Sequence, residues 1–422
     1  MRVLHTSDWH LGAGLEGVSR EADHAAFLEW LAQTLEREEV DCLVVAGDVF
    51  DQAHPSSEAQ QLYYRFLRRI SGRAVEKVVV VGGNHDSASR LDAPSEVLSA
   101  LDVHVVGGVS ADRGTWARCL CPIPGANGGV DAVVVAVPFV HEFRLGVRTT
   151  SASEAEIRAA FEGTFADFYR GLCDMAEALH DGAPLLATGH LNCEGYERGD
   201  SPADIHLVGA IGGLSPRIFD ERLKYVALGH IHRSYRVGES AAYYSGSPIP
   251  LSVKEGRTPR SVRIVDLTEA GAQVRRVEVP LFRRVVELAG TEEAVKAQLR
   301  ALSWEEELPP ITFARVQVDR FSPGIDDELR RIVASAGARA PLLVQVRQEL
   351  AVARDLAAAA QAAPVASLRD VPPEEVFRRL CMERGEPVDE GLLNAFRSLQ
   401  SVELESPAAV AAAPARRERG AA

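Results

Sequence analysis

Before residue 233 this chain repeats one pattern: a short apolar run that stops on a side chain able to ligate a metal ion. Val3–Thr6 leads into Thr6-Ser7-Asp8-Trp9-His10, Val40–Ala46 into Gly47-Asp48, and Lys77–Val81 into Gly83-Asn84-His85-Asp86. Leu185–Thr188 leads into Gly189-His190, and Tyr225–Leu228 into Gly229-His230-Ile231-His232. Runs this short, apolar without alternation, suit strands buried on both faces. Segments of helical spacing stand between them: Ala25–Arg37 repeats Phe27, Leu28, Leu31 and Leu35, and Ala59–Ile70 repeats Leu62, Phe66 and Ile70. Alternation of this kind predicts an α/β sandwich. Further strands are expected at Val103–Val106, Ala132–Val137, Ala242–Tyr244, Ser261–Asp266 and Val274–Val279.

In open α/β sheets, loops beyond the C-terminal strand ends assemble sites from distant parts of the chain. Asp8, Asp48, Asn84, His190 and His230 all fall at such ends, and glycine stands directly before Asp48, Asn84, His190 and His230. We expect these glycines to supply tight turns that aim the ligands inward. Carboxylates, an amide and imidazoles are the donors needed to hold two divalent cations about 3.5–4 Å apart, the arrangement that aligns attacking and leaving oxygens at a phosphate ester. One carboxylate must bridge the ions and offset their repulsion, a role we give to Asp48. Neutral imidazoles and an amide oxygen limit the negative charge, so the ions keep their Lewis acidity. Mixed N/O ligation favours Mn²⁺, Fe²⁺ or Zn²⁺ over Ca²⁺.

The remaining sequence sets bounds. A chain of 422 residues has room for two or three domains. Cys42, Cys119, Cys121, Cys173, Cys193 and Cys381 include no C-x-x-C pair, which argues against a zinc knuckle and for reduced thiols in a cytoplasm. Cys119 and Cys121 are expected to alternate within one strand. No secretory or membrane-spanning segment is evident, and ligands at Asp8 and His10 leave no room for a removable leader. The net charge of −14 runs against a nucleic-acid partner, although a metal-ligand cluster is itself acidic and a binding face can be locally basic. Trp9 is expected to pack beside the site. His5, His104, His180 and His206 lack metal-like company and read as core or surface residues.

Residues 280–350 read as a small α+β domain, with strands at Arg283–Leu288, Ile311–Val318 and Leu342–Arg347 and helices at Thr291–Leu302 and Asp326–Ala336, each opened by an N-cap-like residue. The preceding domain spans 1–275. An Ala-rich helix is expected at Ala351–Ala363, then two amphipathic helices within 365–404, suited to binding a partner protein, then a disordered Ala/Pro/Arg tail at 405–422.

The motif order Asp-x-His, Gly-Asp-x-x-Asp, Gly-Asn-His-Asp, Gly-His, Gly-His-x-His resembles the calcineurin-like metallophosphoesterases. Met1–Gly12, Val45–Asp51, Ala227–Arg233 and Gly246–Ser252 resemble the bacterial DNA-repair nucleases of that family. The resemblance implies one metal on Asp8, His10, Asp48 and His232, and a second on Asp48, Asn84, His190 and His230, with Mn²⁺ the favoured ion. It makes His85 the group that protonates or stabilises the leaving oxygen, and Asp86 or Asp51 a carboxylate that orients an imidazole. It also implies exonuclease and single-strand endonuclease action on DNA, with double-strand ends and hairpins opened when a coiled-coil ATPase subunit is attached, and a homodimer formed through helices of the first domain. Residues 280–350 become a cap that contacts DNA, with Arg283, Arg284, Arg315, Arg320, Arg330, Arg331, Arg339 and Arg347 available for phosphates. The chain has no Gly-rich Lys/Ser loop of its own for ATP. A small-molecule phosphodiesterase, for instance of cyclic nucleotides, is the alternative; the intact ligand set argues against a non-enzymatic scaffold.

Overall fold

The computed structural model describes residues 1–125, 128–140, 154–194, 213–268, 271–337 and 340–350, with Arg378 and Leu393 beyond them. From the N-terminus come β1 (Arg2–Thr6), a hairpin of β2 (Gly14–Leu15) and β3 (Val18–Ser19), α1 (Glu21–Arg37), β4 (Cys42–Ala46), α2 (Ser57–Ile70), β5 (Lys77–Val81), α3 (Ala88–Asp92), α4 (Ser95–Ser99) and β6 (Val103–Val106). Then follow β7 (Leu120–Pro124), β8 (Val130–Val135), α5 (Glu154–Leu179), β9 (Leu185–His190), β10 (Leu223–Gly229), β11 (Tyr235–Arg236), β12 (Ala242–Tyr244), β13 (Ser261–Thr268) and β14 (Gly271–Glu278).

Two six-stranded sheets result, ordered β14-β13-β1-β4-β5-β6 and β11-β12-β10-β9-β8-β7. Strands β1, β4, β5 and β6 run parallel, as do β8, β9, β10 and β12, so their C-terminal ends share one rim. The apolar runs are continuous because each strand is covered twice. On β4, Cys42, Val44 and Ala46 face the second sheet, while Leu43 and Val45 face α1 and α2 with Phe27, Leu31, Tyr63 and Phe66. On β5, Val79 and Val81 face one way and Val78 and Val80 the other. Each fully buried Val or Leu contributes about 1.5–3 kcal/mol. Helix α2 opens on Ser56, whose Oγ accepts from Ala59 N at 3.2 Å.

The expected helices and strands of the first domain are present with shifted ends, and α5 is an addition. Its stripe of Phe161, Phe165, Phe168, Leu172 and Ala176 packs on the second sheet. Cys119 does not alternate with Cys121 in a strand; it ends a 3-10 turn (Arg113–Cys119), and only Cys121 lies in β7. Cys42, Cys119, Cys121, Cys173 and Cys193 are free and buried.

After β14 come β15 (Val285–Thr291), α6 (Glu292–Ala301), β16 (Ile311–Val318), α7 (Gly324–Ser335) and β17 (Leu342–Leu350). The three strands form a separate sheet, ordered β15-β16-β17, with its own core around Leu288, Val295, Leu299, Val316 and Leu329. Thr291 caps α6, accepting from Ala294 N at 3.4 Å, as expected. Asp326 does not cap α7: that helix begins at Gly324 without a side-chain cap, and Asp326 lies in its first turn. Arg283 is buried at the seam with the first domain, its Nε donating to Asp23 Oδ2 at 2.9 Å, while Arg20 holds Asp23 Oδ1 at 2.8 Å. Met1–Gln348 form one compact unit. Apart from Arg378 and Leu393, the helices expected after Leu350, the 365–404 segment and the 405–422 tail lie outside the described residues, as do His206, Arg339 and Cys381. Among the described residues no helix is long and apolar enough to cross a membrane.

Candidate metal centre

The rim where both sheets end brings the sequence-predicted ligands together. Asp8 lies two residues past β1, Asp48 two past β4, Asn84 three past β5; His190 ends β9, and His230 follows β10. The chain must bend sharply at these points. Asp8, His10, Asp48 and His230 all adopt positive φ, at 53°, 47°, 49° and 93°. Left-handed backbone at non-glycine residues costs on the order of 1–3 kcal/mol each and persists where surrounding structure over-determines it. Backbone bonds supply that constraint: Asp8 N donates to Gly47 O and His10 N to Asp48 O, both at 3.0 Å.

The glycines act differently from expectation. Among those that directly precede a ligand, Gly47 has positive φ (90°) and Gly83, Gly189 and Gly229 do not. A Cβ on Gly229 would lie 1.9 Å from Ala46 O, and one on Gly83 would lie 2.1 Å from Asp48 Oδ1. Close approach of two loops, rather than turn conformation, requires glycine there.

Imidazole orientation is set from behind. His190 Nδ1 lies 2.9 Å from Ala46 O, an acceptor only, so Nδ1 carries a proton and Nε2 is the nitrogen turned to the site. That nitrogen lies 3.0 Å from Asn84 Oδ1 and 3.3 Å from Asp48 Oδ2. His232 Nδ1 lies 3.1 Å from Glu255 Oε1, which turns its Nε2 toward His10 Nε2, 3.2 Å away. His230 Nδ1 adjoins Asn84 Oδ1 at 2.9 Å, and its backbone N donates to Asp8 Oδ1 at 2.8 Å. Asp48 Oδ2 is within 3.5 Å of His10 Nε2 as well as near His190, so one carboxylate oxygen reaches both groups of imidazoles. Donor atoms of Asp8, His10 and His232 lie mutually within 4.8 Å, as do those of Asp8, Asp48 and His190, and those of His10, Asp51 and His85.

These contacts fit a pair of cations. Ring nitrogens and carboxylate and amide oxygens converge at hydrogen-bond distance, and positive charge among them, a shared proton or a metal ion, is what such a cluster calls for. The titration of the cluster shows the same demand. Burial by itself would lower the pKa of His190, yet the adjacent Asp48 carboxylate pulls it up to about 9. Burial would raise that of Asp48, but His190 and His10 hold it below the usual range. Burial likewise opposes charge on Glu255, whose carboxyl is held at about 2 by His232 and Arg260.

The flanking residues divide into distinct roles. Asp51 Oδ1 lies 3.3 Å from His10 Nδ1, so of the two carboxylates expected to orient an imidazole it is Asp51 that faces one. Asp86 faces none; its carboxylate accepts from Gly83 N, Val49 N and Phe50 N at 2.9–3.0 Å and staples the β4 and β5 loops together. Burial and the nearby Asp48 push its pKa up to about 6. His85 is exposed, its N donating to Asp48 Oδ1 and its Nδ1 placed 2.8 Å from Asp51 O. Trp9 is fully buried between Phe27 and Phe66. His5 is buried on Tyr225 OH at 2.8 Å, and His104 bonds Arg118 O at 2.9 Å.

Sequence reasoning missed Ser7, whose Oγ donates to Asp8 Oδ2 at 2.5 Å, and Glu255. Glu255 stands 23 residues from His232 with no local motif to mark it. Among the cap arginines Arg283 is buried on Asp23 and is not available for phosphates, whereas Arg284, Arg315 and Arg330 make surface pairs with Glu306, Glu287 and Asp326 and stay exposed.

Fold and donor set define a metal-dependent hydrolase. The family model for calcineurin-like phosphoesterases matches residues 1–234. The chain is 35% identical over 387 residues to the SbcD subunit of nuclease SbcCD from Rhodobacter capsulatus, covering 89% of this chain and 93% of that protein. It is 32% identical over 389 residues to the SbcD subunit of nuclease SbcCD from Escherichia coli K12, covering 91% and 93%. The chain belongs to the calcineurin-like phosphoesterase family, in its branch of SbcD nucleases.

Proposed function

We propose that this chain is a two-metal phosphodiester hydrolase acting on DNA, the nuclease subunit of an SbcCD-type repair complex. The observation that carries the chemistry is the convergence of lone pairs from His10, His190, His232, Asn84 and Asp48 at one rim. Similarity to the SbcD nucleases along nine-tenths of the chain supports the substrate class.

Asp8, His10, Asp48 and His232 would hold one divalent ion, and Asp48, Asn84, His190 and His230 the other, with Mn²⁺ the favoured metal. Two ions bound there would supply Lewis acidity at the phosphate and a water of lowered pKa as nucleophile. The protein's own part is orientation and proton transfer. His85 Nδ1 donates a hydrogen bond to Asp51 O, which leaves Nε2 as the ring's working atom beside His10; with Nε2 protonated as well, the imidazolium can donate that proton to the leaving sugar oxygen. Burial of Asp8, His10, Asp48 and His190 keeps bulk water from screening the cluster.

We assign 3′–5′ exonuclease action on double-strand ends and endonuclease action on single strands and hairpins. The 280–350 unit serves as the DNA cap, and the 365–404 segment docks an SbcC-type ATPase subunit, which supplies the ATP hydrolysis. A homodimer through the first-domain helices is supported by Tyr64 on α2 and Val97 on α4, apolar residues 37% and 71% exposed. We place the protein in the cytoplasm. The test is a manganese-dependent assay on a hairpin oligonucleotide and on bis(p-nitrophenyl) phosphate. Cleavage of the hairpin is expected; turnover of the small ester alone would overturn the DNA assignment.

A further inference from the structure

The turn Ser252–Arg257 sits between the metal centre and the first strand of the cap. Its Glu255 carboxylate accepts from His232 Nδ1, from Ser247 Oγ and from Leu251 N, each at 3.1 Å. Arg260 clamps the same place, donating to His232 O at 2.7 Å and to Glu255 O. On its other side the turn is held by the cap. Arg257 donates to Glu287 on β15 at 2.9 Å, and Gly256 lies so close that a Cβ there would stand 3.0 Å from Val285 O.

We propose that Glu255 is a positioning residue that locks the His232 ring with Nε2 facing His10, so that the ion-binding pocket of Asp8, His10 and His232 is formed in advance. A metal-ligating imidazole that donates its other N–H to a carboxylate has its tautomer and rotation fixed and its basicity raised, and loss of such a partner costs about 10–100-fold in metal affinity. Here the carboxylate is not free to turn away. The bonds it accepts come from Leu251 N just before the turn, from Ser247 and from His232, and the turn is pinned to β15. His232 is partly exposed, unlike the buried His10 and His190, and packing alone constrains it least. Rigidity at this ligand has to come from hydrogen bonds, and Glu255 provides the one at Nδ1.

The inference rests on the two-metal reading, and the experiment separates the two. Full-length protein is titrated with Mn²⁺ by calorimetry and by electron paramagnetic resonance. Wild type is expected to bind two ions with an exchange-coupled signal; absence of a second ion in wild type sinks the two-metal reading itself. Glu255→Ala is expected to weaken one ion about 10–100-fold, leave the other within about two-fold, and replace the coupled signal by a mononuclear one. Glu255→Gln, which still offers an oxygen to Nδ1, should restore most of the affinity. In a His232→Ala background Glu255→Ala should add nothing further, because its effect passes through that ring. If Glu255→Ala does not fold, Glu255→Asp carries the same expectation, since it keeps the charge but draws the acceptor back from Nδ1. Two ions bound as in wild type, or equal weakening of both, or full additivity with His232→Ala, would overturn the proposal.

Discussion

Gly229→Ala should disable the centre without altering any ligand. Gly229 ends β10, paired with His190 on β9, and its φ is not positive, so alanine is compatible with the backbone conformation. The obstacle is space. The new methyl would stand 1.9 Å from Ala46 O, 2.7 Å from His190 Nδ1 and 3.0 Å from Ser7 Cβ. Contacts of this kind start at about 3.0 Å, so the rim must open by about 1 Å, and the nearest atom is backbone with no rotamer to yield. Overpacking costs about 1–3 kcal/mol, which lowers Tm by about 1–4 °C in a chain of this size. The functional loss should be larger. Ala46 O is the acceptor that orients His190, and a 1 Å misplacement near reacting groups costs about 10²-fold in rate. Gly189→Ala is the milder comparison: its methyl would meet Tyr169 OH at 2.9 Å and Leu228 Cδ2 at 3.0 Å, contacts about 1 Å longer than the one at Gly229. Thermal melting, metal content and hairpin cleavage would be measured for both. Wild-type cleavage and metal content in Gly229→Ala, or losses as large in Gly189→Ala, would refute the close-approach argument.

His85→Ala is expected to retain both ions by metal analysis while losing hairpin cleavage at least about 10²-fold; metal-free protein would make His85 a ligand. His5, buried on Tyr225, has its pKa lowered from 6.5 to about 3, by burial first and Arg263 second. The unfolded chain therefore binds more protons between those values, so His5 stabilises the fold less as pH falls; about 1.5 kcal/mol should go between pH 6.5 and 5, and His5→Phe should flatten that part of the stability–pH curve relative to wild type. Removal of the residues after Leu368 is expected to abolish capture of an SbcC-type partner and leave manganese-dependent cleavage in place, and an unchanged pull-down would contradict it.

The fold was legible where the sequence carries period and punctuation. Continuous apolar runs marked β4 and β5 because both faces of those strands are covered, and ligand-type residues at successive strand ends located the rim. Helix α5 carries its apolar stripe in the sequence as well, from Phe161 to Ala176. Other features have no one-dimensional trace. Positive φ at Asp8, His10, Asp48 and His230 is imposed by bonds between loops, not by residue type. Glu255 reaches His232 only through the path of the turn, and the burial of Arg283 follows from how the cap is seated on α1. Position along a strand could be read; the partner behind each ligand could not.

That difference has a physical cause. A ligand must present a lone pair, and nothing in its own chemistry decides where its other polar atom points. In this protein a group from elsewhere in the chain meets that atom at His190 (Ala46 O), at His232 (Glu255) and at Asp8 (His230 N), and the Asp51 carboxylate lies 3.3 Å from His10 Nδ1. Strained backbone at Asp8, His10, Asp48 and His230 raises the energy of the rim, and the double-sided burial of β1, β4 and β5 offsets it. Strain of that kind survives only on elements that cannot relax, which is why the centre stands at the ends of the most completely buried strands rather than on the cap or the edge hairpin. Weakening the sheet beneath should therefore release the ligands before it unfolds the chain, and the order of events on heating ought to be loss of bound metal first and loss of strand structure second.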